Sequence, residues 1–211
     1  MDFSIPHRDI LDYWLGESGG LEGETDDARG WPSASLQRRW FKSSDGQDAE
    51  IAERFGDRVA AALRRDLVGW EREPGPRLAL ILLLDQFTRN IHRGTADAFA
   101  GDHHAATLTL EGLSTGMDRR LGWAGQVFFY MPLMHAEDAD LQERAVACYR
   151  ELHGRVPAAL KDEIANNLKF AEEHRDIIQR FGRFPHRNRV LERTDSAEEI
   201  DFLQHARRYG Q

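Results

Sequence analysis

The chain is short of several things, and each shortage narrows what it can be. Cys148 is its only cysteine, so no internal disulfide can form, which suits a reducing compartment; a cytoplasmic protein is the expectation. Its longest aliphatic run, LALILLL from Leu78 to Leu84, is far below the roughly 20 apolar residues that a membrane-crossing helix needs. The N-terminal stretch MDFSIPHRDI has neither a basic head nor an apolar centre and does not fit a secretory signal. Positive charge is in deficit: the formal net charge is −8, which argues against nucleic acid as a partner. Lysine is scarce, with only Lys42, Lys161 and Lys169 among 28 basic residues. The rest are arginine, whose planar fork suits bidentate pairing with carboxylate or phosphate. A genome rich in G and C would give the same bias. Also missing are GxGxxG and GxxxxGK[ST] phosphate loops, HExxH and CxxC. No metal and no cofactor is therefore expected.

Strand signals are missing as well, because no short stretch alternates with a β-branched or aromatic bias. What remains is helical. With 211 residues, 41 % hydrophobic and 30 % charged, the chain suits one all-α domain over residues 1–211. About eight to ten helices are expected in antiparallel hairpins, either a compact bundle or a short array. Pro6 can open a first helix holding Ile10, Leu11, Trp14 and Leu15, and Gly16 can end it. Residues 16–32, Gly-rich and acidic, read as an exposed loop. Ile51, Phe55, Val59 and Leu63 mark an amphipathic helix, and Pro74-Gly75-Pro76 reads as a hard break. Leu78–Phe87 is apolar almost all round and should be the most buried element. Thr95 can cap a helix reaching Leu113, and an aromatic helix from Trp123 should stop at Pro132. Two further helices carry Leu141, Ala145, Cys148 and Leu152, then Leu160, Ile164, Leu168 and Ala171 through to Phe181. The last begins at Ser196, with Glu199 completing a capping box, and presents Ile200, Leu203 and Ala206.

One internal similarity stands out. FTRNIHR (87–93) and FGRFPHR (181–187) both read Phe-x-Arg-x-x-His-Arg, each just after a long apolar helix. Asp85 lies four residues before Arg89 and can pair with it on one helix face. So many donors need acceptors: helix C-terminal carbonyls, the carboxylates of Asp85, Asp176, Glu137 and Asp138, or an anionic ligand. Three readings are open. Both copies can be corner clamps tying down helix ends. They can instead converge on one cleft, where Arg89, His92, Arg93, Arg183, His186 and Arg187 would hold a small phosphate- or carboxylate-bearing molecule. Catalysis is the third, although no nucleophile with a defined base is visible. In YMPLMHAED (130–138), His135 with Glu137 and Asp138 could be a metal half-site or an acid–base pair, or the two acids could simply open the next helix, which is the reading preferred. Asp102, His103 and His104 read as surface residues, Cys148 as packing, and Trp14, Trp40, Phe41, Trp70, Trp123, Phe128, Phe129 and Tyr130 as core.

Several blocks carry a family resemblance: DILDYWLG, RWF with DAEI, LLLDQFTRNIHRGTADAFA, FYMPLMHAED, and HRDIIQRFGRFPHRN followed by AEE..FL. Together these resemble the domain-of-unknown-function 924 family over nearly the whole chain. The resemblance implies an all-helical fold similar to tetratricopeptide-type hairpins and implies no particular reaction. The chain departs from the family pattern at Thr88, usually proline, at Met134, usually glutamate, and at Glu192-Arg193, usually Gly-Arg. The expected function is binding of a small anion in an Arg/His-rich cleft. The alternative is a helical module that binds a peptide or protein partner.

Overall fold

The computed structural model describes residues 7–16, 23–28, 30–41 and 44–205. All regular structure among them is helical, and no described helix is long and apolar enough to cross a membrane. Helix α1 (Arg8–Leu15) buries Ile10, Leu11, Tyr13, Trp14 and Leu15, and ends at Gly16, whose φ of 86° favours glycine. Pro6 and Ala206 lie outside the described residues. After α2 (Ala34–Phe41), helix α3 (Asp45–Leu63) starts at Ser44, whose hydroxyl accepts from Gln47 N, and buries Ile51, Phe55 and Val59.

The central element departs from expectation at both ends. Pro74-Gly75-Pro76 is no break; it forms the first turn of α4 (Pro74–Ile81), where missing N–H groups cost nothing. The helix then widens into a π-helical segment (Leu82–Phe87) and closes with α5 (Thr88–Ile91). Thr88 helps to hold the widened turn, since both its N–H and its hydroxyl reach Leu83 O, the latter at 2.7 Å. Leu78 to Leu84 and Phe87 are at most 1 % exposed, so this is indeed the buried axis of the fold. Arg77 at its start is itself buried and tied to Glu71 O and Leu108 O, each at 2.7 Å.

Thr95 precedes a single 3-10 turn (Ala96–Phe99) ahead of α6 (Asp102–Ser114) and does not cap it with its side chain, because its hydroxyl donates to His92 O instead. Helix α7 (Trp123–His135) runs straight through Pro132. Burial on every side outweighs the lost backbone bond, and side chains take flanking carbonyls: Tyr149 OH donates to Val127 O and Thr109 Oγ1 to Phe129 O. Helix α8 (Ala139–Arg155) lies antiparallel to α7, because Gln142 reaches back to Met134 O while Arg155 meets Gln126. It is likewise antiparallel to α9 (Lys161–Phe181), with Arg150 on Glu172 and Glu143 on Gln179. These are the expected hairpins.

The segment read as an exposed loop, where described, is half buried. Trp123 Nε1 donates to Thr25 O, Glu24 pairs with Arg155, and Trp31 packs against the core. Of its described acids, Glu24 is anchored by Arg155 of α8 and Arg119 of the turn before α7, while Asp26 and Asp27 are exposed as expected. Helix α10 (Ala197–His205) has the predicted capping box, Ser196 N to Glu199 at 2.7 Å and Glu199 N to Ser196 Oγ at 3.1 Å. Its inward face is shifted, however: Ile200 is exposed, while Glu199 is buried and Phe202 and Leu203 are half buried, because Arg183 draws the Glu199 carboxylate inward. The aromatic residues expected in the core are there, with Trp14, Phe128, Phe129 and Tyr130 nearly inaccessible. Trp40 and Trp70 pack at its edge, and the Phe41 side chain lies outside the described set.

One close approach aligns the site described next. A Cβ on Gly101 would stand 2.2 Å from Leu84 O, so the start of α6 rests on the backbone of the π-helical segment. Gly101→Ala is expected to destabilise the fold by about 1–3 kcal/mol in urea unfolding, since the obstacle is backbone and cannot rotate away. Gly154→Ala, with open space around the new methyl, should be neutral or slightly stabilising.

Candidate Asp–His–Arg site

The π-helical segment carries Asp85, whose side chain is fully buried. Its Oδ1 accepts from His135 Nδ1 at 2.7 Å and from Arg89 Nη2 at 3.3 Å, while Gln86 Nε2 donates to Oδ2. The i,i+4 pair read from the sequence therefore forms, and His135, the last residue of α7, joins it. A π-helical turn inserts one residue into the helix and frequently marks a functional position. Here it lies at the acid.

Asp102 makes the second connection. Arg89 Nη2 donates to its Oδ1 at 2.8 Å, and Arg187 Nη1 to its Oδ2 at 3.3 Å. Arg187 also donates to His135 O at 2.8 Å. The ring of Phe99 carries both cations on its faces, Arg89 5.2 Å and Arg187 4.5 Å from the centroid, and Arg187 stacks on Phe184 at 4.6 Å. His174 of α9 completes the wall. Its Nδ1 donates to Phe170 O at 2.7 Å, and its ring sits 6.3 Å from that of His135 and 5.5 Å from that of Phe184. His186 packs against Phe184 at 5.4 Å.

The electrostatics follow from enclosure. Burial raises the Asp85 carboxyl, but the charges of His135 and Arg89 outweigh it and hold the group ionised below the usual carboxylate range. Burial, and then repulsion from Arg89, lowers Arg187 to about 10. Burial lowers His174 to about 3, helped by His135, and lowers His186 to about 3, helped by Arg187. Both are neutral imidazoles in the folded protein. Asp102 and Asp85 together balance two guanidiniums in one nearly dry place. The donors are not all used: Arg89 Nε and Arg187 Nε are buried without a hydrogen-bond partner. Arg89 Nη1 and His135 Nε2 also have no hydrogen-bond partner among the described residues, and neither is among the atoms sealed from solvent. Among the described residues, no group of three or more His, Cys, Asp or Glu side chains is disposed to hold a metal ion.

The remaining sequence candidates lie elsewhere. Arg93 is clamped on Asp48 of α3 at 2.7 and 3.1 Å, with Asn90 on the same carboxylate at 2.8 Å. His92 sits in the turn with its carbonyl taken by Thr95. Arg183 holds Glu199 through two bonds of 2.7 and 2.8 Å and reaches Thr194 O. Glu137 braces the site from behind: it pairs with Arg193 at 2.9 and 2.7 Å and accepts from Phe184 N at 2.8 Å. Asp138 does cap α8, through Leu141 N, and Asp176 pairs with Arg175.

So the two Phe-x-Arg-x-x-His-Arg copies are not equivalent turns. Phe87–Ile91 is helical, whereas Phe181 ends α9, Gly182 takes φ 68°, and Pro185–Arg187 form a 3-10 turn. Arg89, third in its copy, meets Arg187, last in the other. Each copy places one cation in the cluster and one in a clamp. Arg183→Ala should accordingly loosen α10, seen as faster protease cleavage after residue 188, with little change at Arg89.

Three members of the cluster were missed from the sequence. Asp102, set aside as a surface residue, bridges the two guanidiniums, because α6 begins against the π-helical segment. His174 left a readable trace, a histidine on the buried stripe of Ala171 and Ile178. Phe99 left none.

The fold and this cluster define a class: an all-α protein with a buried aspartate–histidine–arginine network between its central helix and the turn after its longest one. The chain belongs to the family described as bacterial proteins of unknown function (DUF924), whose pattern matches residues 10–207. It is also similar to a solved structure, that of a protein of unknown function from Agrobacterium tumefaciens. The two are 36 % identical over 97 % of this chain and 100 % of that one, with a TM-score of 0.79. No curated protein matches the chain.

Proposed function

We propose that the protein binds a small anionic molecule, bearing a phosphate or carboxylate, at Arg89 and Arg187 with His135 beside them. One observation carries this reading. Two like charges are held together by one shared carboxylate, Asp102, and still have N–H groups to spare. Leaving a buried donor unpaired costs about 1–3 kcal/mol, and an anion would remove that cost. The rings of Phe99 and Phe184 pack against the guanidiniums, so the remaining N–H groups favour an acceptor such as a carboxylate or phosphate oxygen. His92, Arg93 and Arg183, engaged elsewhere, are not part of the proposed site. A lone, buried and unpaired Cys148, its thiol raised to about 11 by burial, suits the cytoplasm as the setting.

The test is thermal unfolding with inorganic phosphate and simple mono- and dicarboxylates. A ligand present at about 100 times its Kd should stabilise the wild type by roughly 2.7 kcal/mol. Arg187→Gln should lose that stabilisation and Arg93→Gln should keep it. No stabilisation of the wild type by any anion, or equal stabilisation of all three proteins, contradicts the reading.

A further inference from the structure

We infer that this cluster is a general acid–base site, in which His135 Nε2 exchanges a proton with the anion held at Arg89; the inference rests on the anion-binding reading above. Asp85 Oδ1 holds both partners of that exchange, His135 through Nδ1 at 2.7 Å and Arg89 through Nη2 at 3.3 Å. An ionised carboxylate can only accept, so His135 Nδ1 carries a proton, and in the neutral imidazole Nε2 then holds the lone pair. Each group keeps one unused atom that reaches solvent: a basic nitrogen on His135 and a charged donor, Nη1, on Arg89. A base and an oxyanion donor, both fixed by the same buried oxygen, are what a proton transfer from a bound acid requires.

The step balances within the site. An acidic O–H or C–H of the bound anion breaks, its proton goes to Nε2, and the electron pair stays on the anion. The new negative charge faces the Arg89 and Arg187 cations, while the imidazolium shares its Nδ1 proton with Asp85. Reversal returns the proton. No side-chain nucleophile is needed, and the single thiol, Cys148, is buried on the packed face of α8. The charged and titratable groups around His135 come from every neighbouring element: Asp85 and Arg89 from the central helix, Asp102 from α6, His174 from α9, and His186 and Arg187 from the following turn. Asp85 is the positioning residue, because it sets the tautomer and orientation of the imidazole.

Diethyl pyrocarbonate, which acylates unprotonated imidazole nitrogen, reads this directly when modification is followed residue by residue by mass spectrometry. His135 should react in the wild type. Asp85→Asn, whose amide can donate to Nδ1 and force the other tautomer, should slow that reaction at least about tenfold, while exposed His103 is unaffected. Saturating inorganic phosphate should protect His135 but not His103, and Arg89→Gln should abolish the protection. Should Asp85→Asn fail to fold, ¹⁵N shifts of wild-type His135 report the tautomer, with Nδ1–H expected. An unreactive His135, an unchanged rate in Asp85→Asn, or a dominant Nε2–H form overturns the inference. If calorimetry shows phosphate binding that Arg187→Gln abolishes, yet His135 stays unprotected, the acid–base role fails and anion binding stands. If phosphate does not bind, both fail.

Discussion

The protein is expected to lose stability steadily as the pH falls from about 6.5 towards 3, before most of its carboxylates titrate. His174 and His186 are responsible, since burial lowers both from 6.5 to about 3 in the folded state. In the unfolded chain each takes up a proton near 6.5. Between these limits the unfolded state therefore binds more protons, and folding weakens as the pH drops. The slope is roughly 1.4 kcal/mol per pH unit for each histidine. By pH 5 two such groups remove about 4 kcal/mol, a large share of the roughly 5–15 kcal/mol that stabilises an ordinary domain. The paired carboxylates act lower down. Asp85 and Glu137 are held below their ordinary values, so their contribution is complete above about pH 5 and is lost progressively as the pH falls below that. Urea midpoints at pH 7.5, 6 and 5 separate the two effects. His174→Asn and His186→Asn should each flatten the upper part of the curve; a flat wild-type profile between pH 7.5 and 5 would contradict the assignment.

Replacing Asp102 should have the other large effect. It is the one carboxylate that Arg89 and Arg187 share, and the two cations are only 15 % and 7 % exposed. Asp102→Asn keeps the shape and removes the charge, leaving two guanidiniums packed against the ring of Phe99 and repelling one another. Removing one member of a buried ion pair costs about 3–5 kcal/mol, and the partial exposure of Asp102 places the expectation in the lower part of that range. Equilibrium unfolding at neutral pH measures it. Inorganic phosphate should restore part of the loss, because it can balance the positive charge that Asp102 balances in the wild type. Asp176→Asn, on an exposed pair with Arg175, should change stability by less than about 1 kcal/mol.

How far the sequence showed this depends on distance along the chain. Helices set by a repeated apolar face, such as Ile51–Phe55–Val59, were legible because the period is local. So was the Asp85–Arg89 pair, four residues apart on one helix. The π-helical turn was not, since nothing in LLLDQF announces an extra residue, and its support comes from Thr88 behind it and Gly101 across from it. Pro132 misled for a related reason: the rule that proline ends a helix is local, whereas the burial that overrides it is tertiary. The repeated motif holds Arg89 and Arg187 of the cluster, but also Arg93 and Arg183, which are clamped elsewhere. Which arginine clamps and which enters the cluster depends on distant acids, Asp48 for Arg93 and Asp102 for Arg187.

Arginine Nε–H resonances, followed through a titration with inorganic phosphate, test the central claim most directly. The Arg89 and Arg187 signals should move together along one saturation curve, while those of Arg93 and Arg183, held by Asp48 and Glu199, stay in place. Movement of all four alike, or of Arg93 and Arg183 alone, would contradict a site built on Arg89 and Arg187.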